Sequence, residues 1–137
     1  MADDFTMDPR LLADTTEVAH LPLSELRLMN DARYPWLLLV PRRPDIAEII
    51  DLADIDRASL FDEIGIVSNA LKAATGCFKL NIAAFGNVVR QLHVHVIARF
   101  EDDPAWPRPV FGIGEAVAYR ARERDKLVKH IRDALPS

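Results

Sequence analysis

With 137 residues and a formal charge of −4, the chain is long enough for one hydrophobic core, and too acidic overall for a broad electrostatic hold on a nucleic-acid backbone. Half of its residues are hydrophobic and 28% are charged, which excludes an intrinsically disordered polymer. The longest apolar run, Trp36 to Val40, falls far below the roughly 20 residues that span a bilayer, so no membrane partner is expected.

The elements follow in chain order. Asp8-Pro9-Arg10-Leu11-Leu12 predicts a short helix, with Asp8 as cap and Pro9 at the first helical position. Ser24 to Met29 alternates, with Ser24, Leu26 and Leu28 set against Glu25 and Arg27, the pattern of a half-buried strand. After the turn-forming Asn30-Asp31-Ala32-Arg33, the run Trp36 to Val40 predicts a strand buried on both faces and closed by Pro41. A helix capped by Asp54 follows, with Leu60, Ile64, Val67 and Leu71 on one face and Gly76 as its stop. Phe78 to Ala84 and Leu92 to Phe100 predict two more strands, joined by a loop that contains Gly86-Asn87. The prolines at 104, 107 and 109 exclude a regular element there. A charged last helix runs from about Glu115 to Leu135. Helix, two strands, helix, two strands, helix is an α+β order with an antiparallel sheet. One domain over 1–137 is expected. A single Cys77, and a start (Met1-Ala2-Asp3-Asp4) without the regions of a secretory signal, point to the reducing cytoplasm.

Side chains two apart on a strand share a face, at about 7 Å per step. Gln91, His93 and His95 therefore form one polar row and Leu92, Val94 and Val96 the apolar row behind it. Three readings of the row stand open. The histidines can decorate a solvated sheet face. They can be a His-x-His metal pair, although no third His, Cys or carboxylate is near and Glu101 and Asp102 come after the strand. Or a neutral imidazole can attack phosphorus while neighbouring donors steady the phosphate oxygens. Arg42, Arg43, Arg90 and Arg99 lie close in sequence to these segments and read either as local positive charge or as solvated surface arginines. Trp36 reads as core, Trp106 as a packed anchor, Cys77 as a buried thiol, and Asp51, Asp54 and Asp56 as charge at a helix start.

The segment Gly86-Asn87-Val88-Val89-Arg90-Gln91-Leu92-His93-Val94-His95-Val96-Ile97-Ala98-Arg99 resembles the signature of the histidine triad (HIT) superfamily, three histidines alternating with apolar residues. Pro35-Trp36-Leu37-Leu38-Leu39-Val40-Pro41-Arg42-Arg43 is similar to that family's apolar strand ending in Val-Pro and a basic residue. Trp106-Pro107 matches an element of some branches. The resemblance covers roughly 24–109 and looks most like a bacterial group with Gln in the first motif place.

It implies a HIT-like fold, an antiparallel sheet of about five strands with flanking helices, paired into a homodimer. It also implies hydrolysis or transfer at the α-phosphate of a small-molecule nucleotide, of phosphoramidate or dinucleoside polyphosphate type, through a nucleotidyl-histidine and without a metal or other cofactor. By this resemblance His93 is the nucleophile, His95 holds the phosphate, Gln91 stands in the first histidine's place, and Asn30, Asn81 and Asn87 contact the nucleotide. Two departures thin the support. Gln91 cannot exchange a proton near neutral pH, and Val88 replaces a hydroxyl, a loss on the order of 100-fold in rate by analogy with oxyanion-hole donors. A nucleotide-binding module without useful catalysis is the alternative, and a His93/His95 metal protein a further one.

Overall fold

The computed structural model describes residues 4–137. Helix α1 (Pro9–Asp14) starts where Asp8 accepts a hydrogen bond from the Arg10 N–H at 2.8 Å, with Pro9 at its head. It runs directly into strand β1 (Thr15–His20), an element absent from the sequence-based expectation. The reason is a bulge. Pairing of β1 with strand β2 (Ser24–Met29) shifts register between Glu17 and Ala19, so buried Val18 falls out of the period of two that marks a strand.

Strand β3 (Trp36–Pro41) is buried along its whole length, as its unbroken apolar run requires. Helix α2 (Asp54–Thr75) turns its Leu60, Ile64, Val67 and Leu71 to the core and stops at Gly76, whose φ of 67° is left-handed. Its cap residue is Ala53; Asp54 is already helical, and with Asp56 it places negative charge in the first turn, where the helix dipole favours it. Strand β4 (Lys79–Ala83), strand β5 (Val94–Arg99) and helix α3 (Ala121–Ala134) complete the chain. α3 begins six residues later than about Glu115, because the main chain of Val117 is tied outside any helix by Ala32 N–H on its carbonyl and by the Asp31 carboxylate on its N–H.

The five strands pair antiparallel in the order β1-β2-β3-β5-β4, which is the HIT-like arrangement expected. α2 and α3 cover one face, packing on Leu26, Leu28, Leu37, Leu39, Val94, Val96 and Ala98. The other face carries Trp36, Leu38, Val40 and Ile97, covered by Met7 and Leu11 from the N-terminal segment and by Ala105 and Val110 from the segment after β5. Among the described residues no helix is long and apolar enough to cross a membrane.

Arg99 corrects the surface reading of the arginines. It is 1% exposed, pairs with Asp103 at 2.8 and 3.1 Å, and donates to Asn81 Oδ1 and the Arg108 carbonyl. Asp103 in turn accepts from the N–H groups of Phe100, Ala105 and Trp106. Three prolines prevent a ladder in this segment, and the buried ion pair organises it instead. Asp103→Ala leaves a buried guanidinium without its counter-charge and is expected to lower the unfolding free energy by about 3–5 kcal/mol. Urea titration checks this, and a loss below about 1 kcal/mol would show that the segment is held by other means.

Candidate functional site

The site begins with the register of β3 and β5, which sets Leu38 opposite His95 and Trp36 opposite Ile97. Trp36, one diagonal step away, donates its indole N–H to His95 Nδ1 at 2.9 Å. Indole nitrogen only donates, so His95 Nδ1 accepts and the proton of the neutral ring is on Nε2. His95 is 6% exposed and is ringed by Trp36, Phe85 and Phe111 at centroid distances of 5.7, 6.1 and 5.0 Å. Burial, and secondarily the charge on His93, lower its pKa to about 4.

His93 is the complement. Its Nδ1 faces the main-chain carbonyl of Gln91 at 2.7 Å. A carbonyl only accepts, which assigns the proton to Nδ1 and leaves the lone pair on Nε2. The rings of His93 and His95 lie 5.0 Å apart. One imidazole offers a nucleophilic nitrogen and its neighbour an N–H donor.

His93, Phe85 and Gly86 form a wall between two clefts. The first, about 430 Å³, contains both histidines and is mostly apolar, with Leu11, Met29, Trp36, Leu38, Val89 and Phe111, plus Asp14 and Asn87. The second, about 250 Å³, lies beside Glu48, Ile49, Ile50 and Leu92. Gly86 is left-handed at φ 74°, which allows the loop after β4 to fold back against the wall. A larger polar cavity of about 560 Å³ touches Arg90 and Gln91 but neither histidine.

Of the residues singled out from sequence, His93, His95 and Asn87 meet at the first cleft. Gln91 does not join their row. The ladder begins only at Val94, so strand alternation does not extend to position 91, and the Gln91 amide turns to the N-terminal segment, accepting from Asp8 N–H at 2.8 Å and donating to the Thr6 carbonyl at 2.9 Å. Asn30 is held by the Thr16 hydroxyl at 2.7 Å. Asn81 shares the sheet face of His95, but its oxygen is taken by Arg99. Neither lines the clefts, and among the described residues no arginine or lysine does either. Trp36, Leu11, Asp14, Phe85 and Phe111 were not legible as site residues: Trp36 carried only a core signal, and Phe111 follows the irregular proline segment. Among the described residues, the group with metal-like ligand spacing is Glu17, His20 and Glu25 at the opposite sheet edge, without His93 or His95.

The model of the HIT domain family matches residues 11–102. Three crystal structures are closely similar to this chain. A histidine triad protein from Bradyrhizobium japonicum shares 51% identity at TM-score 0.95, covering 96% of this chain and 98% of that one. One from Sinorhizobium meliloti shares 48% at TM-score 0.96, covering 98% and 100%. One from Marinobacter aquaeolei shares 37% at TM-score 0.92, covering 96% of each. No curated protein matches the chain.

The state of His95 has a measurable consequence. In the unfolded chain its imidazole binds a proton near the ordinary value of 6.5, and in the native chain only near 4. Between these values the unfolded state carries the extra proton, so stability is lost as pH falls through that window, by up to about 3 kcal/mol. Replacing it in His95→Gln keeps an acceptor for Trp36 and removes the titration. The variant's unfolding free energy should fall less than the wild type's between pH 6.5 and 4; parallel curves would contradict the burial argument.

Proposed function

From the premise that the chain belongs to the HIT family, a family of nucleotide-binding and hydrolase type, we propose that it is a nucleotide hydrolase or transferase acting at the α-phosphate through a nucleotidyl-His93 intermediate. The observation that carries this reading is the pair of opposite ring states, Nδ1–H on His93 and Nε2–H on His95. The apolar first cleft takes the nucleoside, with Asn87 as its polar contact. The α-phosphate sits at the wall where the two clefts meet, and the second cleft takes the leaving group.

His93 Nε2 forms a bond to phosphorus in line with the bond that breaks, and the leaving group departs with that bonding pair and is protonated. His95 Nε2–H donates to a phosphate oxygen. Val88 and Val89 line the first cleft and their backbone N–H groups donate to no acceptor within the described residues, which makes these N–H groups the proposed further donors. Water then attacks the phosphorus and releases a nucleoside monophosphate, returning the electron pair to Nε2. Buried His95 stays neutral at physiological pH and acts as a hydrogen-bond donor, not as a cation. A nucleotide-binding module without catalysis is the second reading. It is favoured by the Gln91 amide, already engaged away from the clefts, and by Val88, 77% exposed and without a hydroxyl.

The homodimer proposed here uses the free edge of β4, where Ile82 and the preceding Phe78 are 50% and 62% exposed and a second copy can extend the sheet. Ile82→Lys is expected to shift the chain toward monomer in sedimentation equilibrium, and an unchanged mass would move the interface elsewhere. For the chemistry, single-turnover reactions with adenosine phosphoramidate and diadenosine polyphosphate are followed by AMP release and intact protein mass. The wild type should form an adenylated protein, and His93→Ala should form none while keeping the wild-type unfolding curve. Equal AMP release by His93→Ala would refute the nucleophile, and nucleotide binding without adduct or release in the wild type would establish the binding module.

A further inference from the structure

Gln91 replaces the first histidine of the motif, yet both ends of its side-chain amide are engaged. One carboxamide plane accepts from the Asp8 N–H at 2.8 Å and donates to the Thr6 carbonyl at 2.9 Å. The main chain of the same residue supplies the carbonyl that receives His93 Nδ1–H at 2.7 Å. The peptide that carries this carbonyl is held on its other side too, since Leu92 N–H donates to the Ile46 carbonyl at 2.9 Å. The N-terminal segment is itself anchored, with Met7 and Leu11 buried against Trp36 and Leu38. An uninterrupted set of contacts thus links the apolar wall that holds Trp36, the donor to His95, to the carbonyl behind His93.

We propose that Gln91 is a positioning residue: its amide latches residues 6–8 to the entry of β5, and through its own carbonyl this latch holds His93 in the Nδ1–H state. The residue type fits the task. A carboxamide presents donor and acceptor side by side and does not titrate, whereas an imidazole holds its two nitrogens on different edges of a rigid ring and loses its acceptor on protonation near neutral pH. The departure from three histidines exchanges a titratable group for a fixed two-point tether. The consequence for turnover rests on His93 being the nucleophile; the consequence for its ring state does not.

The experiment is long-range proton–nitrogen NMR of the histidine rings in the full chain, with single-turnover kinetics alongside. Wild type should show His93 as one Nδ1–H form. Gln91→Ala removes both tethers, and Gln91→Glu keeps the acceptor for Asp8 but sets a carboxylate oxygen against the Thr6 carbonyl. Both should convert His93 to a mixture of ring states and slow adduct formation on the order of 10- to 100-fold, with KM changed less than about twofold by the same reasoning. A second pair of variants keeps Gln91 in place. Asp8 has φ −54°, which proline accepts, so Asp8→Pro deletes the N–H that Gln91 receives, whereas Asp8→Ala keeps it and removes only the helix cap. Asp8→Pro should reproduce the mixed ring state and Asp8→Ala should not. A His93 signal unchanged in Gln91→Ala, or equal in the two Asp8 variants, would overturn the proposal. A ring-state change in a protein that forms no adduct would retain the latch and remove the catalytic reading instead.

Discussion

The hydrogen bond from the Trp36 indole to His95 Nδ1 is buried where strands β3 and β5 meet the cleft. A buried ring nitrogen left without a partner costs about 1–3 kcal/mol, and indole is the one aromatic side chain that donates without titrating. The bond therefore satisfies His95, selects its ring state and aligns it with the strand in a single contact. His93 is set by a second bond, to a main-chain carbonyl. These two contacts, one from each side, turn neighbouring imidazoles of the same chemical type into unlike groups.

The sheet divides stability from chemistry. Its helix-covered face is regular, with Leu60, Ile64, Val67 and Leu71 of α2 and Val128 and Ile131 of α3 against apolar strand residues. The opposite face is closed by chain that forms little regular structure, the stretch around α1 and the proline-rich stretch after β5. The second of these depends on Arg99 and Asp103, whose buried pair and surrounding backbone bonds fix the path that brings Phe111 onto Trp36, Phe85 and His95. Charge is thus used to shape the cleft from outside, and among the described residues no cationic side chain lines the space beside His93. In the proposed reaction, phosphate binding there falls to neutral donors, ring N–H and backbone N–H, which act strongly when water is excluded.

Much of this was legible from residue order. Trp36 to Val40 read as a doubly buried strand because nothing polar interrupts it, α2 because its apolar residues keep a helical spacing, and the histidine strand because of alternation. The resemblance carried by residues 86–99 reached the family and the five-stranded sheet that the chain's own periodicity undercounted. β1 escaped notice because the bulge at Val18 breaks alternation within six residues. Neither sequence reading of Arg99, local positive charge or surface arginine, describes its buried pairing, because its partner Asp103 lies beyond the end of the strand, within a segment that pattern reasoning leaves unstructured.

The sequence by itself determined the strand and α-helix inventory apart from β1, though not the 3-10 turn at Ile49–Asp51, together with the family and the pairing of His93 with His95, because these depend on local spacing and on a contiguous motif. Tertiary structure alone decided which ring nitrogen of each histidine bears the proton, where the Gln91 amide points, and which of Asn30, Asn81 and Asn87 reaches the cleft. His93 is set by a carbonyl only two residues away, that of Gln91, but the others are settled by partners distant in the chain: Trp36 for His95, Thr6 and Asp8 for Gln91, Thr16 for Asn30 and Arg99 for Asn81. A hydrogen-bond donor or acceptor is chosen by what folding brings beside it, and that information is carried by strand register and packing, not by the residue's own neighbours in sequence.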